Sequence, residues 1–274
     1  MTAPAAPTDR RRGPHRRRIP VALLVPALLG LAFLVLPLLG LLLRAPWSTM
    51  PERLTEPGVL AALWLSLRTA TAATVLSLVL GIPLAWLLAR VDFRGRSLVR
   101  ALVTVPLVLP PVVGGVALLL VFGRSGPVGS RLDEAFGITL PFSTAGVVMA
   151  MTFVAMPFLV VSVEGALRGA DVRFEEAAAT LGAGRWTVFT RVTLPLIAPG
   201  IAAGTVLCWA RALGEFGATI TFAGNFPGRT RTMPLAVYLA LETDLEAAIV
   251  LSLILLAVSV IVLASLRDRW TAAP

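Results

Sequence analysis

Residues 175–200 read EEAAATLGAGRWTVFTRVTLPLIAPG, a hydrophilic interruption between two apolar stretches of a chain that is otherwise mostly apolar. What flanks it decides the fold. Of 274 residues, 57% are hydrophobic and 14% charged. The apolar residues gather in runs near 19–43, 69–89, 98–122, 143–163, 197–219 and 247–266. Each run approaches the roughly 20 residues that a helix needs to cross about 30 Å of hydrocarbon. Backbone amides in lipid must bond within their own segment, and runs this long are too long for barrel strands. The expectation is an all-α membrane protein with six transmembrane helices.

All 24 basic residues are Arg, and their placement orients the chain. Arg10, Arg11, Arg12, Arg16, Arg17 and Arg18 precede the first run. With alternating spans, Arg90, Arg94, Arg96, Arg100, Arg168, Arg173, Arg185, Arg191, Arg267 and Arg269 fall on the same side as that tail. The other side holds Arg44, Arg53, Arg124, Arg131, Arg229 and Arg231, accompanied by Glu52, Glu56, Asp133, Glu134, Glu242 and Asp244. The positive-inside rule then makes both termini cytoplasmic. Because the arginines lie at loop ends, topology accounts for the net charge of +9, and no nucleic-acid partner is expected. Residues 1–18 are expected to be a disordered cytoplasmic tail. A cleaved signal peptide is the competing reading of the N-terminus, but its apolar core is about 7–15 residues, shorter than 19–43.

Cys208 and His15 are the sole residues of their kinds, so neither a metal site nor a disulfide is expected. No catalytic residue is expected. A chain without Lys also lacks the phosphate-binding lysine of a Walker A loop, and any use of ATP must come through another polypeptide.

The outer loop 44–57 is followed by an apolar piece, Val59 to Leu67. Arg68 is expected to snorkel at the outer interface, with the second span starting just after it. The third run contains VPLVLPPVVGG, with Pro106, Pro110, Pro111, Gly114 and Gly115. Prolines free backbone carbonyls, which membrane depth tolerates only inside protein or facing a cavity. That span is expected to be kinked and inward-facing, either as part of a path or as a packing kink alone.

The segment from Gly165 to Leu196 reads as two short helices. Asp171 can cap the first, Ala177, Ala178 and Ala179 favour it, and Gly182 can end it. Trp186, Phe189 and Val192 make one apolar face of the second, over Gly184 to Val192. Leu194-Pro195 is expected to end it, since the residue before a proline disfavours the helical region.

Glu176-Ala177-Ala178, then Gly182, then Leu194-Pro195 and Pro199, resemble the EAA signature of permease subunits of bacterial ABC importers. The resemblance extends over about residues 60–266, including LSLRTATAATVLSLVLGIPLAWLLAR. It implies the MetI-like fold of type I importers, in a multi-pass protein of the bacterial cytoplasmic membrane. It also implies that Glu176, Ala177, Ala178, Gly182, Leu194 and Pro195 belong to a coupling loop that docks on a cytoplasmic ATPase subunit. Small alanines suit a helix entering a groove, Gly182 a sharp reversal, and Glu176 a charged acceptor. Two helices lying on the lipid surface are the plainer alternative.

Residues 209–238, WARALGEFGATITFAGNFPGRTRTMPLAVY, resemble molybdate and tungstate permeases. Sulfate permeases are similar around Arg211, Gly214 and Glu215 but diverge over the following loop. Arg211 and Glu215 are unlike charges four apart inside a run, in the order less favourable to a helix dipole. Intramembrane ions are costly and usually paired. Either these two form a structural pair, or Arg211 also meets a permeating anion. Together with Pro110 and Pro111 they are the candidates for a translocation path. Gly200 and Gly204 suit close helix approach.

The implied assembly is a homodimer in the lipid bilayer with two ATPase subunits and an extracytoplasmic oxyanion-binding protein. The chain itself needs no cofactor; ATP and Mg belong to the partner ATPase. The alternatives are a sulfate or thiosulfate permease, an ion-coupled secondary transporter using Arg211 and Glu215 as a proton relay, and a scaffold without transport. The expected domains are the tail 1–18, the first transmembrane helix with its outer loop 19–58, and a permease domain 59–268 containing the coupling loop 165–196.

Overall fold

Two successive prolines set the most consequential bend. The computed structural model describes residues 21–270, so the tail 1–18 lies outside the described residues. Within the third apolar run, α4 (Arg96–Val108) and α5 (Pro111–Phe122) meet at 118°. Leu109 and Pro110 each precede a proline, which pushes both out of the helical region. Their ψ angles are 133° and 130° accordingly. The expected kinked span is therefore a broken one.

The chain divides into two units between Arg44 and Ala45. The first carries α1 (Val21–Leu43), with Pro26 and Pro37 inside it. The second carries α2 (Met50–Leu54), α3 (Pro57–Arg90), α4, α5, α6 (Gly129–Phe136), α7 (Thr144–Gly169) and α8 (Arg173–Thr180). It continues with α9 (Arg185–Val188), α10 (Leu194–Leu213), α11 (Gly217–Ala223), α12 (Met233–Thr243) and α13 (Leu245–Trp270). Five helices among the described residues are long and apolar enough to cross a membrane, and six if α4 and α5 count as one broken span.

The second span does not begin after Arg68. α3 starts at Pro57 and runs 34 residues, about 51 Å at 1.5 Å per residue. Pro57 favours a helix start, and Ala62, Leu65 and Ser66 are buried on the face that continues through Ala70 and Ala73. Arg68 lies exposed within this helix, its guanidinium carbon 5.9 Å from the Trp64 ring centre.

α7 is the central element, burying Val147, Met151, Ala155, Leu159, Val160, Val163 and Leu167. Lipid tails are as apolar as leucine, so helices in a membrane associate through close fit rather than hydrophobic drive. α3 offers α7 Ala70, Ala73, Ser77, Gly81 and Ala85, all buried. α10 brings Gly200 and Gly204 against Ala166 and Ser162 of α7, and Ser162 donates to the Gly200 carbonyl at 3.0 Å. A second core joins Leu118 of α5, Ala150 and Val154 of α7, and Ala218 and Phe222 of α11.

Candidate functional site

At the loop, α7 runs on to Gly169, so the interruption proper spans 170–184. Asp171 accepts the Arg173 N–H through Oδ1 at 3.0 Å, tying down the entrance to α8. Gly182 then reverses the chain with φ +86°, a left-handed conformation that costs glycine nothing. Across that reversal Ala183 N–H donates to Ala178 O at 3.1 Å and Gly182 N–H to Ala179 O at 3.0 Å, which satisfies the last carbonyls of α8. Glu176 and Ala177 are exposed on α8, and Ala178 is half-buried.

Leu194-Pro195 does not end the second loop helix. α9 passes through a π-helical turn, Phe189–Thr193, directly into α10. The Leu194 N–H reaches back five residues to Phe189 O, and Leu194 keeps helical angles of −58° and −49°. A wider turn relieves the clash of a proline ring with the carbonyl four residues earlier. Pro195 is thereby absorbed into the first turn of α10 rather than stopping the helix. Of the expected apolar face, Trp186 is exposed while Phe189 and Val192 are half-buried.

α10 stops at Leu213, so the fifth run is not one continuous span either. Arg211 occupies the last turn of α10, and Glu215 lies beyond it, before α11. Their ion pair measures 2.6 Å between Nη1 and Oε2, with the Glu215 side chain 1% exposed. Glu215 Oε1 also accepts the Ala218 N–H at 2.7 Å. A cation at a helix C-terminus and an anion at the next helix's start both sit where the backbone dipoles favour them.

The two chain breaks meet. A Cβ on Gly217 would stand 2.9 Å from Pro111 Cβ, and one on Gly115 would stand 2.7 Å from Thr221 Cβ. Glycine at both positions lets α5 press against α11. The structure thus brings Pro111, beside Pro110, to the segment that follows Glu215. Irregular backbone at membrane depth is tolerated where protein buries it or where it lines a cavity.

Three polar features escape a reading of the sequence alone. Glu164, buried on α7, is bracketed by Arg100 of α4 at 2.7 Å and Arg168 at 2.9 Å. Arg90 at the end of α3 pairs with Glu175 of α8 at 2.8 Å. Near the start of α7, a 620 Å³ recess is lined by Arg124, Ser125, Thr139, Phe142 and Arg229. For Glu164 the available signal is Arg168 four residues on, one turn away on the same helix. The other two join distant segments.

The described residues thus form an all-helical membrane bundle with a broken span, a second interrupted helix and a structured polar loop. The profile of the family described as binding-protein-dependent transport system inner membrane component matches residues 81–272, and the chain belongs to that family. It is accordingly a multi-pass inner membrane protein. The molybdenum transport system permease protein ModB of Mycobacterium tuberculosis is 51% identical over 245 residues, covering 89% of this chain and 92% of that one. The sulfate transport system permease protein CysT of Escherichia coli is 37% identical over 238 residues, covering 85% and 86%. A solved bacterial alginate ABC transporter, in complex with its alginate pentasaccharide-bound periplasmic protein, contains a chain of similar fold. Its TM-score is 0.72 at 19% identity, covering 92% of this chain and 95% of that chain.

Proposed function

We propose that this chain is the permease subunit of an ATP-driven importer for a tetrahedral oxyanion, with molybdate as the preferred cargo. The observation that carries the reading is the 51% identity to a molybdenum permease along 89% of the chain, against 37% to a sulfate permease. Two copies of the chain form the pathway, with both termini in the cytoplasm. A binding protein delivers the anion on the outer side. Two separate ATPase subunits, using ATP and Mg, dock on the loop through Glu176, Ala177, Ala178 and Gly182, while Leu194 and Pro195 set how the loop joins α10. Coupling requires each partner to favour particular permease states, since a ligand shifts an equilibrium only by its differential affinity. The exposed Glu176 suits a charge-assisted contact with a donor on the ATPase. The abutting breaks at Pro110-Pro111 and Arg211–Glu215 are the proposed gate.

The test is reconstitution of the permease with its ATPase and binding protein in proteoliposomes, followed by ATP-dependent uptake of labelled molybdate under excess sulfate. Uptake that persists supports molybdate, and uptake that sulfate abolishes assigns the chain to sulfate. Uptake without ATP overturns the importer reading.

A further inference from the structure

The last turn of α3 grips both helices of the loop with one face. Trp86 and Arg90 are four residues apart, hence neighbours on the helix surface. Arg90 Nη2 donates to Glu175 Oε1 of α8 at 2.8 Å, and the two side chains are only 13% and 16% exposed. Trp86 meets Phe189, where α9 passes into the π-helical turn, edge to face with ring centres 6.3 Å apart. The recess between them is about 450 Å³, lined by Trp86, Arg90, Glu175, Ala183 and Arg185 among others.

The neighbouring carboxylates on α8 are thereby divided in purpose. Glu176 is exposed, whereas Glu175 turns back to α3. An ion pair sheltered from water is screened far less than an exposed one, and removing one partner strands the other. Arg100 Nη2 and Arg96 Nε donate to the Leu88 carbonyl at 3.3 and 2.7 Å, so the end of α3 that carries Arg90 is itself held.

We propose that Arg90 and Glu175 are positioning residues for energy coupling: they fasten the loop to α3, so that displacement of the loop by the ATPase is delivered to the bundle instead of being absorbed by the loop. This rests on the reading of the loop as the ATPase dock. It predicts a separation of two activities that loss of docking or of folding would not give. Without the joint the ATPase still binds and turns over, but its cycle moves α8 more than α3.

The experiment uses the reconstituted complex with wild type, Arg90→Gln, Glu175→Gln and the reversed pair Arg90→Glu with Glu175→Arg. Three quantities are read: ATPase retained on purification, ATP hydrolysed with loaded binding protein, and molybdate accumulated per ATP. The single variants are expected to retain ATPase and hydrolysis while accumulation per ATP falls roughly tenfold, within the usual span of coupling between sites. The reversed pair is expected to recover at least half of that loss. Unchanged accumulation per ATP in both single variants overturns the proposal. If the docking reading itself fails, wild-type permease retains no ATPase or a Glu176→Arg variant retains it undiminished, and either result is read before any change at Arg90 or Glu175. Should the single variants fail to assemble, Arg90→Cys with Glu175→Cys, in a Cys208→Ser background and bridged by a short bismaleimide, replaces them. A joint that stays closed through the cycle tolerates the bridge with uptake retained, and loss of uptake on bridging overturns it.

Discussion

Glu215 binds Arg211 at 2.6 Å across the end of a helix, not along one. Its second oxygen holds the Ala218 N–H of the next helix at 2.7 Å. The carboxylate therefore joins α10 to α11 where the main chain turns.

This geometry ranks substitutions at the pair. Glu215→Ala strands the guanidinium and the Ala218 N–H together. It should cost about 3 kcal/mol, the low end for opening a buried pair, because Arg211 remains 27% exposed. Glu215→Gln keeps an acceptor for Ala218 and should assemble better. Arg211→Met with Glu215→Met removes both charges and should recover assembly relative to Arg211→Met alone. Yield of monodisperse permease and its detergent melting temperature check the ranking. If the double variant assembles and its ATPase responds to binding protein, but uptake is lost, Arg211 also serves the anion.

Gly182 is constrained by its backbone rather than by space. A Cβ there meets nothing within 4 Å, yet φ is +86°. Gly182→Ala should therefore cost about 1–2 kcal/mol, the usual penalty of a left-handed L-residue. Gly182→Asn should be milder, since Asn visits that region more readily. Hydrogen-exchange protection of the Leu181–Gly184 amides and ATPase copurification should fall in that same order, and equal behaviour of Ala and Gly would count against the turn.

Much of this was legible because its causes are local. A capping aspartate, alanines and a glycine mark α8 and its reversal, and the length of each apolar run marks a crossing. The break between α4 and α5 was half legible: prolines announce a kink, but 118° follows from two consecutive residues each preceding a proline. The end of α10 between Arg211 and Glu215 was hidden by an apolar run that continues across it. Pro195 misled because a π-helical turn upstream relieved the clash that makes proline a terminator. Arg90 and Glu175 are 85 residues apart, and nothing in one sequence pairs them. Arg90 read only as a marker of sidedness.

Asp244 links stability to pH through the short turn between α12 and α13. The hydrogen bond from Arg53 at 2.7 Å, followed by the Ala247 N–H, holds its carboxyl below the usual carboxylate range. A depressed folded value means that the stabilisation is full above the unfolded value, about 3.9. It is lost as pH falls through the folded one. Asp244→Asn should melt below wild type at pH 7, and the difference should close as the buffer is taken below pH ~3.9. A gap that stays constant well below pH ~3.9 would assign the effect to something other than the charge.

The last prediction concerns sidedness, for which the structure defines two ends and the arginine distribution assigns them. Thr144, the first residue of α7, donates to the Arg229 carbonyl at 2.9 Å, so Arg229 stands at the start of that helix. Arg185 lies beyond its far end, across α8, which Glu175 fastens to Arg90 of α3. Arg94 follows α3 by a few residues and shares that end. α7 has 26 residues, about 39 Å at 1.5 Å per residue, enough to separate the two groups by a full bilayer core of about 30 Å. Single cysteines at 94, 185, 131 and 229, all exposed positions, in a Cys208→Ser background, should therefore label in two classes. Positions 131 and 229 should react with an impermeant maleimide in intact cells, and 94 and 185 only after permeabilisation, because the arginine-rich side stays in the cytoplasm. Labelling of 185 in intact cells would reverse the orientation and remove the loop from reach of a cytoplasmic ATPase.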